Sequence, residues 1–342
     1  MIKSSLLNYE LPNSSINQEP YENPLDSKLL IAENREIISF KQFPEYVESD
    51  SLFIFNKSTV RKVRILTEKN TGGSLEIFIT KKLNDFEAIC LLKSSDKKSK
   101  NKKYQTNLFN FQIQEVLDES FRCIFDMKID DIMNKHGILP LPPYIKDNPN
   151  KRKFYNTQFS DSGFSIAAPT AGLHFTNELI KKFKNKNIET AFINLDVNLN
   201  TFKPVKSKNL NDHNIHKEFY SIDEAEYNKI ITYKESNKNI YCVGTTTLRA
   251  IETAYNTENL VGNTDLFILP DTKINLPTHL ITNFHAPMSS LLSIVHNVYG
   301  DNWKELYKYA IDQGLKFLSF GDAVLFKYCL LYTSPSPRDR LL

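Results

Sequence analysis

The chain has 342 residues, 41% of them hydrophobic and 24% charged, with a formal net charge of +3 at pH 7. That length allows two or three domains of ordinary size in a globular composition, and the charge is too small to argue nucleic-acid binding by itself. No stretch approaches the roughly 18 apolar residues of a membrane span, and Cys90, Cys123, Cys242 and Cys329 stand singly, without metal spacing or a disulfide framework.

Residues 1–12 carry Lys3 and Glu10 and no long apolar run. They are read as no signal peptide, and with the isolated cysteines this predicts a cytoplasmic protein. Leu29-Leu30-Ile31 and Ile37-Ile38-Ser39-Phe40 read as a strand pair around Asn34-Arg35. Ser51-Leu52-Phe53-Ile54-Phe55 is a short buried strand closed by Asn56-Lys57-Ser58.

Residues 61–145 change character. Val63-Arg64-Ile65-Leu66, Ser74-Leu75-Glu76-Ile77-Phe78-Ile79, Ala88-Ile89-Cys90-Leu91-Leu92, Phe109-Asn110-Phe111-Gln112-Ile113 and Phe121-Arg122-Cys123-Ile124-Phe125 are short strands between polar or glycine turns. Their spacing predicts a small β-barrel over 60–147. Leu139-Pro140-Leu141-Pro142-Pro143-Tyr144 closes it in extended form. Two basic runs border it: Lys93, Lys97, Lys98, Lys100, Lys102 and Lys103 in one, Lys146, Lys151, Arg152 and Lys153 in the other. They are either solvated loops or phosphate-attracting patches.

Beyond 155 the pattern alternates. Ala167-Ala168-Pro169-Thr170-Ala171-Gly172-Leu173-His174-Phe175 reads as a special-backbone turn, with Pro169 fixing φ and Gly172 permitting angles closed to other residues. A helix follows, capped by Thr176, with Glu178 in its first turn and an apolar stripe of Leu179, Ile180 and Phe183. His174 thus arrives near a helix N-terminus, whose dipole favours neutral imidazole, unless it simply caps a neighbour. Strands are expected at 190–195, 239–243, 266–269 and 279–283, and helices at 225–234, 245–255, 291–298 and 303–313. The alternation predicts a layered α/β fold with a mostly parallel sheet. Its domain would be discontinuous, made of 1–59 and 148–326, with the barrel inserted. The tail from about 327 to 342 shifts abruptly to Ser334-Pro335-Ser336-Pro337 and is set aside as a disordered or foreign end.

Gly244-Thr245-Thr246-Thr247-Leu248-Arg249 is a strand–turn–helix whose amides and hydroxyls make a seat for a carboxylate or phosphate, or else an ordinary cap. No second glycine follows, so it is not a nucleotide fingerprint. Arg249 and Glu252 lie three apart on one helix face and are candidates to pair. His213 and His216 invite a metal, but no third ligand has supporting spacing, so none is expected. His174, His213, His216 and His285 together suggest a site where protons move.

Read together, these motifs resemble the S-adenosylmethionine:tRNA ribosyltransferase-isomerase family of queuosine biosynthesis. The resemblance rests, in order, on Tyr9-Glu10-Leu11-Pro12, Gln18-Glu19-Pro20, Phe55-Asn56, the run 139–145, the nonapeptide 167–175, Thr201-Phe202-Lys203-Pro204-Val205, Asp212-His213 with His216 and Glu218, Val243-Gly244-Thr245-Thr246 with Arg249 and Glu252, Thr264-Asp265, Ile281-Thr282-Asn283-Phe284-His285, and Ser319-Phe320-Gly321-Asp322-Ala323. It departs at Asp196-Val197-Asn198-Leu199-Asn200, where the family usually has a His-Val-Gly-Ala-Gly run.

The resemblance implies transfer of the ribosyl part of S-adenosylmethionine to a 7-aminomethyl-7-deazaguanine base in tRNA. Isomerisation gives epoxyqueuosine, and adenine and methionine leave. It implies catalysis by His174, His213, His216 and His285, with roles unassigned. S-adenosylmethionine contacts would fall to Pro169, Thr170, Gly172, Gly244, Thr245, Thr246, Arg249 and Asn283. Lys97, Lys98, Lys100, Lys102, Lys103, Lys151 and Arg152 would track the tRNA, and a monomer without metal is expected. The rivals are a tRNA-binding relic of the same fold that has lost catalysis and a generic methyltransferase.

Overall fold

A computed structural model describes residues 2–198 and 204–328. Residues 199 and 200 of the Asp196-Asn200 departure, Thr201-Phe202-Lys203, and the tail beyond 328 lie outside the described residues.

The chain opens with the hairpin β1 (Lys28–Ile31) and β2 (Glu36–Ser39), then β3 (Leu52–Asn56), buried at all five positions, and the short β4 (Ser58–Val60). Six antiparallel strands follow: β5 (Arg64–Glu68), β6 (Ser74–Lys82), β7 (Glu87–Lys93), β8 (Lys103–Gln105), β9 (Asn110–Val116) and β10 (Phe121–Phe125). Helix α1 (Ile129–His136), β11 (Gly137–Ile138) and the single turn α2 (Pro149–Arg152) lead out of them. The remainder alternates: β12 (Ser162–Ser165), α3 (Asn177–Asn185), β13 (Glu189–Leu195), β14 (Glu218–Ile222), α4 (Glu224–Glu235), β15 (Ile240–Val243), α5 (Thr245–Thr257), β16 (Val261–Thr264), β17 (His279–Asn283), α6 (Leu291–Tyr299), α7 (Trp303–Asp312) and β18 (Ala323–Lys327).

Two main sheets result. One has seven strands in the order β11-β5-β6-β7-β10-β9-β8, all drawn from residues 64–138. The alternating burial along β6 turns one face onto a core that includes Val63, Ile77, Ile113 and Ile132. It curls until the residues just past β5 and β8 touch at a single bridge, without the two strands pairing: Lys69 bridges Thr106, and the Asn70 amide donates to the Gln105 carbonyl at 2.9 Å. The outcome is a half-barrel.

The other sheet has nine strands in the order β16-β14-β13-β3-β15-β17-β18-β1-β2, from residues 28–56 and 189–327. Strands β3, β15 and β17 are buried throughout, as strands covered on both faces must be. One face carries an aromatic core of Phe40, Phe43, Phe53, Phe55, Phe175, Phe183 and Tyr241, with α3 packed on it. Thr176 caps α3, its Oγ1 accepting the Leu179 amide at 3.2 Å. The opposite core includes Leu248 and Ile251 of α5, Ile230 of α4, Val295 of α6 and Trp303 of α7.

The α/β layering stands, but the sheet is mixed and not mostly parallel. Only β13-β3, β3-β15, β15-β17 and β18-β1 pair in parallel; the other four pairings are antiparallel. A parallel return needs a crossover, usually one helix. Two helices separate β17 from β18, and β18 runs against β17. Residues 266–269 are not a strand either: Arg249 Nε takes the Leu266 carbonyl at 2.9 Å, while Thr264 and Thr272 hydroxyls take the Leu266 and Leu269 amides. The strand nearby is β16. Helix α1 and strands β14 and β18 had no counterpart among the expected elements.

Candidate active site

Three separated stretches meet on one cavity of about 130 Å³: residues 167–171, residues 244–246 at the start of α5, and residues 282–287 after β17. The sheet brings two of them side by side, because β15 and β17 are parallel neighbours and the Gly244 amide donates to the Ile281 carbonyl at 2.8 Å. Gly244 turns the chain at φ 91°, ψ 148°, a conformation essentially reserved for glycine. It brings no side chain to cap α5, so the first amides of the helix have no partner in their own helix. Thr245, Thr246, Pro169 and Thr170 line the cavity.

Gly172 works differently from the expectation. Its φ is ordinary, and what requires glycine is space: a Cβ would come within 2.9 Å of Thr157 Cγ2 and 3.1 Å of Phe159 Cζ.

Asn283 lines the same cavity and is 3% exposed. Its Nδ2 sits 3.2 Å from His174 Nε2, 3.3 Å from the Asp322 carbonyl and 3.4 Å from the Gly321 carbonyl. Two carbonyls can only accept, so the amide nitrogen faces them and Oδ1 turns away, buried and without a hydrogen-bond partner.

His174 does not line the cavity. It is buried, stacked on Phe40 with centroids 4.5 Å apart. Ser27 Oγ lies 2.8 Å from Nδ1 and itself donates to the Pro24 carbonyl, so Nδ1–H is the donor and Nε2 accepts from Asn283. Burial lowers its pKa from 6.5 to about 3, so the ring is neutral as expected, but through desolvation.

His285 is the histidine at the cavity wall. Its Nε2 is 3.0 Å from Thr282 Oγ1, and burial lowers its pKa to about 3. Tyr9 Oη donates to its backbone carbonyl. Tyr144, also at the wall, shares a 2.6 Å hydrogen bond with Ser319.

His213 and His216 lie elsewhere, in an adjoining cleft of about 830 Å³ that shares Pro204 and Leu291 with the first cavity. One wall comes from the half-barrel through Thr80, Leu91 and residues 117–120; the other carries Phe267, Glu218 and Arg249. Arg249 is thus separated from the Gly244 seat. It pairs with Glu218 and not with Glu252, whose carboxylate accepts the Asn275 and Leu276 amides. His213 packs edge-on to Phe267 at 5.5 Å. Among the described residues no group of three or more His, Cys, Asp or Glu side chains is arranged to hold a metal ion, and no helix is long and apolar enough to cross a membrane.

The lysine run 93–103 folds around Asp96, which accepts from Lys69 at 3.2 Å and from Lys102. Lys98 donates to the Ser94 carbonyl at 2.8 Å; Lys97, Lys100 and Lys103 are exposed. In the second run Lys151 is 4% exposed and pairs with Glu19 at 2.8 Å, and Arg152 holds Asp147 through Nη2.

Sequence reasoning passed over Ser27 as the partner of His174, Thr282 as that of His285 and Glu218 as that of Arg249. Thr282 and Glu218 sit inside quoted motifs; residues 117–120 carry no signal at all.

A sequence model of the queuosine biosynthesis protein family matches residues 4–326. An S-adenosylmethionine:tRNA ribosyltransferase-isomerase of Clostridioides difficile is 34% identical, covering 95% of this chain and all of its own. One from Vesicomyosocius okutanii is 36% identical over 93% of this chain and 96% of its own. The crystal structure of S-adenosylmethionine tRNA ribosyltransferase from Thermotoga maritima superposes with a TM-score of 0.54 at 29% identity, covering 94% of this chain and 99% of that one. With the family model matched over nearly the whole described chain and relatives of 34% and 36% identity covered almost end to end, this chain belongs to the queuosine biosynthesis protein family.

Proposed function

We infer that this chain transfers and isomerises the ribosyl part of S-adenosylmethionine onto 7-aminomethyl-7-deazaguanine in tRNA, giving epoxyqueuosine and releasing adenine and methionine. The observation that carries this reading is the convergence of residues 167–171, 244–246 and 282–287 on one cavity with an unpartnered buried acceptor, Asn283 Oδ1. An acceptor beside free helix amides fits a donor molecule that has both amino or hydroxyl hydrogens and a carboxylate. The sulfonium of that molecule supplies the acidity of its 5′ carbon; the chain supplies the base.

His285 is our choice for that base. It is the histidine on the cavity wall, with Thr282 Oγ1 3.0 Å from its Nε2. His174 acts as a positioning residue: its Nε2 holds Asn283 Nδ2 and so fixes where Oδ1 lies. Lys97, Lys100 and Lys103 supply exposed charge for the tRNA backbone. We read residues 60–147 as an inserted domain facing the catalytic one across the larger cleft, and the protein as a cytoplasmic monomer. The test is one incubation of tRNA bearing the aminomethyl base with S-adenosylmethionine. Adenine release dependent on that base is expected; S-adenosylmethionine left intact would overturn the reading.

A further inference from the structure

The Arg249 guanidinium is only partly satisfied. Its side chain is 7% exposed, and its partner Glu218 3%. Nε donates to the Leu266 carbonyl at 2.9 Å and Nη1 to Glu218 Oε2. Glu218 Oε1 accepts the Asn198 amide at 2.8 Å, so the carboxylate is held from two sides and cannot swing round to serve Nη2. Nη2 is buried and has no hydrogen-bond partner among the described residues. A charged donor removed from water without an acceptor is costly, and the cost is larger than for a neutral one. Arg249 and Glu218 both border the larger cleft, which also has an aromatic ring, Phe267, in its wall.

We propose that Arg249 Nη2 is the specificity contact for the tRNA base: it donates to the base's exocyclic carbonyl oxygen once the base has left the stack and entered the cleft. This rests on the reaction inferred above. The chemistry of the base favours it. Arginine usually reads guanine through two acceptors on one edge, O6 and N7. A 7-deazaguanine has carbon at position 7, so that edge offers one acceptor. Arg249 has one unpaired nitrogen, the other arm being fixed on Glu218. The cleft also lies between the two sheets, and its half-barrel wall leaves a base arriving from tRNA a different approach from the small cavity beside α5. The carboxylate of S-adenosylmethionine is a competing acceptor, and the test separates the two.

Arg249→Lys keeps a cation for Glu218 and removes Nη2. Binding is measured for tRNA carrying the aminomethyl base and for the same tRNA abasic at that position, with S-adenosylmethionine binding followed by calorimetry. The preference for the base-bearing tRNA should shrink about 10- to 100-fold, the scale of one hydrogen bond to a charged group. Affinity for the abasic tRNA and for S-adenosylmethionine should stay within about twofold. Should the lysine variant misfold, the double variant Glu218→Gln with Arg249→Met leaves no unpaired charge behind and must lose the same preference. An intact preference with weakened S-adenosylmethionine binding overturns the proposal in favour of the carboxylate; no change in either overturns it outright. Base preference in a wild-type protein that releases no adenine would instead fault the reaction and leave the contact standing.

Discussion

Three buried histidines set how this molecule responds to acid: His279, lowered by burial to about 4, beside His174 and His285. His174 and His285 both have pKa values lowered by burial from 6.5 to about 3. Between those values the unfolded chain binds protons that the folded chain does not, so stability is full above about pH 6.5 and falls as the pH drops toward 3. Each ring contributes up to about 1.4 kcal/mol per pH unit. Urea midpoints measured at pH 7, 6 and 5 should fall accordingly, and His174→Gln should make the slope shallower. Their catalytic consequences differ. His285→Asn should reduce adenine release about 10²- to 10⁴-fold while S-adenosylmethionine still binds. His174→Ala should unfold at a lower temperature than the parent, because it removes a ring packed on Phe40 and strips partners from Ser27 and Asn283. A His174→Ala protein as heat-stable as the parent would contradict that positioning role.

Among the elements, the turn into α5 shows strain without crowding. A Cβ on Gly244 would meet nothing nearer than Thr246 Oγ1 at 3.7 Å, so only the backbone angles resist a side chain. Gly244→Ala should therefore cost about 1–3 kcal/mol in chemical denaturation and weaken S-adenosylmethionine binding. The lysine run makes a contrasting case. Lys98 and Lys102 are engaged within the loop, so neutralising Lys93, Lys97, Lys100 and Lys103 should account for nearly all of the run's effect on the salt dependence of tRNA binding, lowering the slope by up to about 3 to 4. These two elements also mark what the sequence can tell. Strand β3 and helix α3 were legible because burial and capping write themselves into residue type. So was the Gly244 turn, where one glycine sits between an apolar run and threonines. Strand β14 and the cleft wall at 117–120 were not, since β14 buries Glu218 and exposes Phe219, against the usual reading of those residue types, and a surface turn has no period or composition of its own. The pairing of Arg249 with Glu218 was equally hidden, because sequence distance favoured Glu252.

At the scale of the whole molecule, the chain enters and leaves the half-barrel side by side: Ile65 faces Gly137 and Arg64 faces Ile138. Replacing residues 64–138 with a short flexible linker should leave the nine-stranded sheet able to fold, with cooperative unfolding retained. tRNA binding should be lost, since the exposed lysines and one wall of the larger cleft go with the excised part. Non-cooperative melting of the shortened chain would show that the sheets depend on each other for stability.

Strand β1 lies between β2 and β18, with Leu29 opposite Ala323 and Ile31 opposite Leu325. Asp322, just before β18, accepts from the Lys28 amide and from Tyr21 Oη, both at 2.8 Å. Ser27 and Asn283, which hold His174 from its two sides, are likewise far apart in sequence. On a ribosome, then, the strand made among the first must wait for one made nearly 300 residues later. The half-barrel, whose partners are all local, can form during translation, whereas the catalytic sheet cannot close until synthesis has passed β18. A nascent chain stalled before that point would expose the apolar edge of β1 and give chaperones their longest window on this protein.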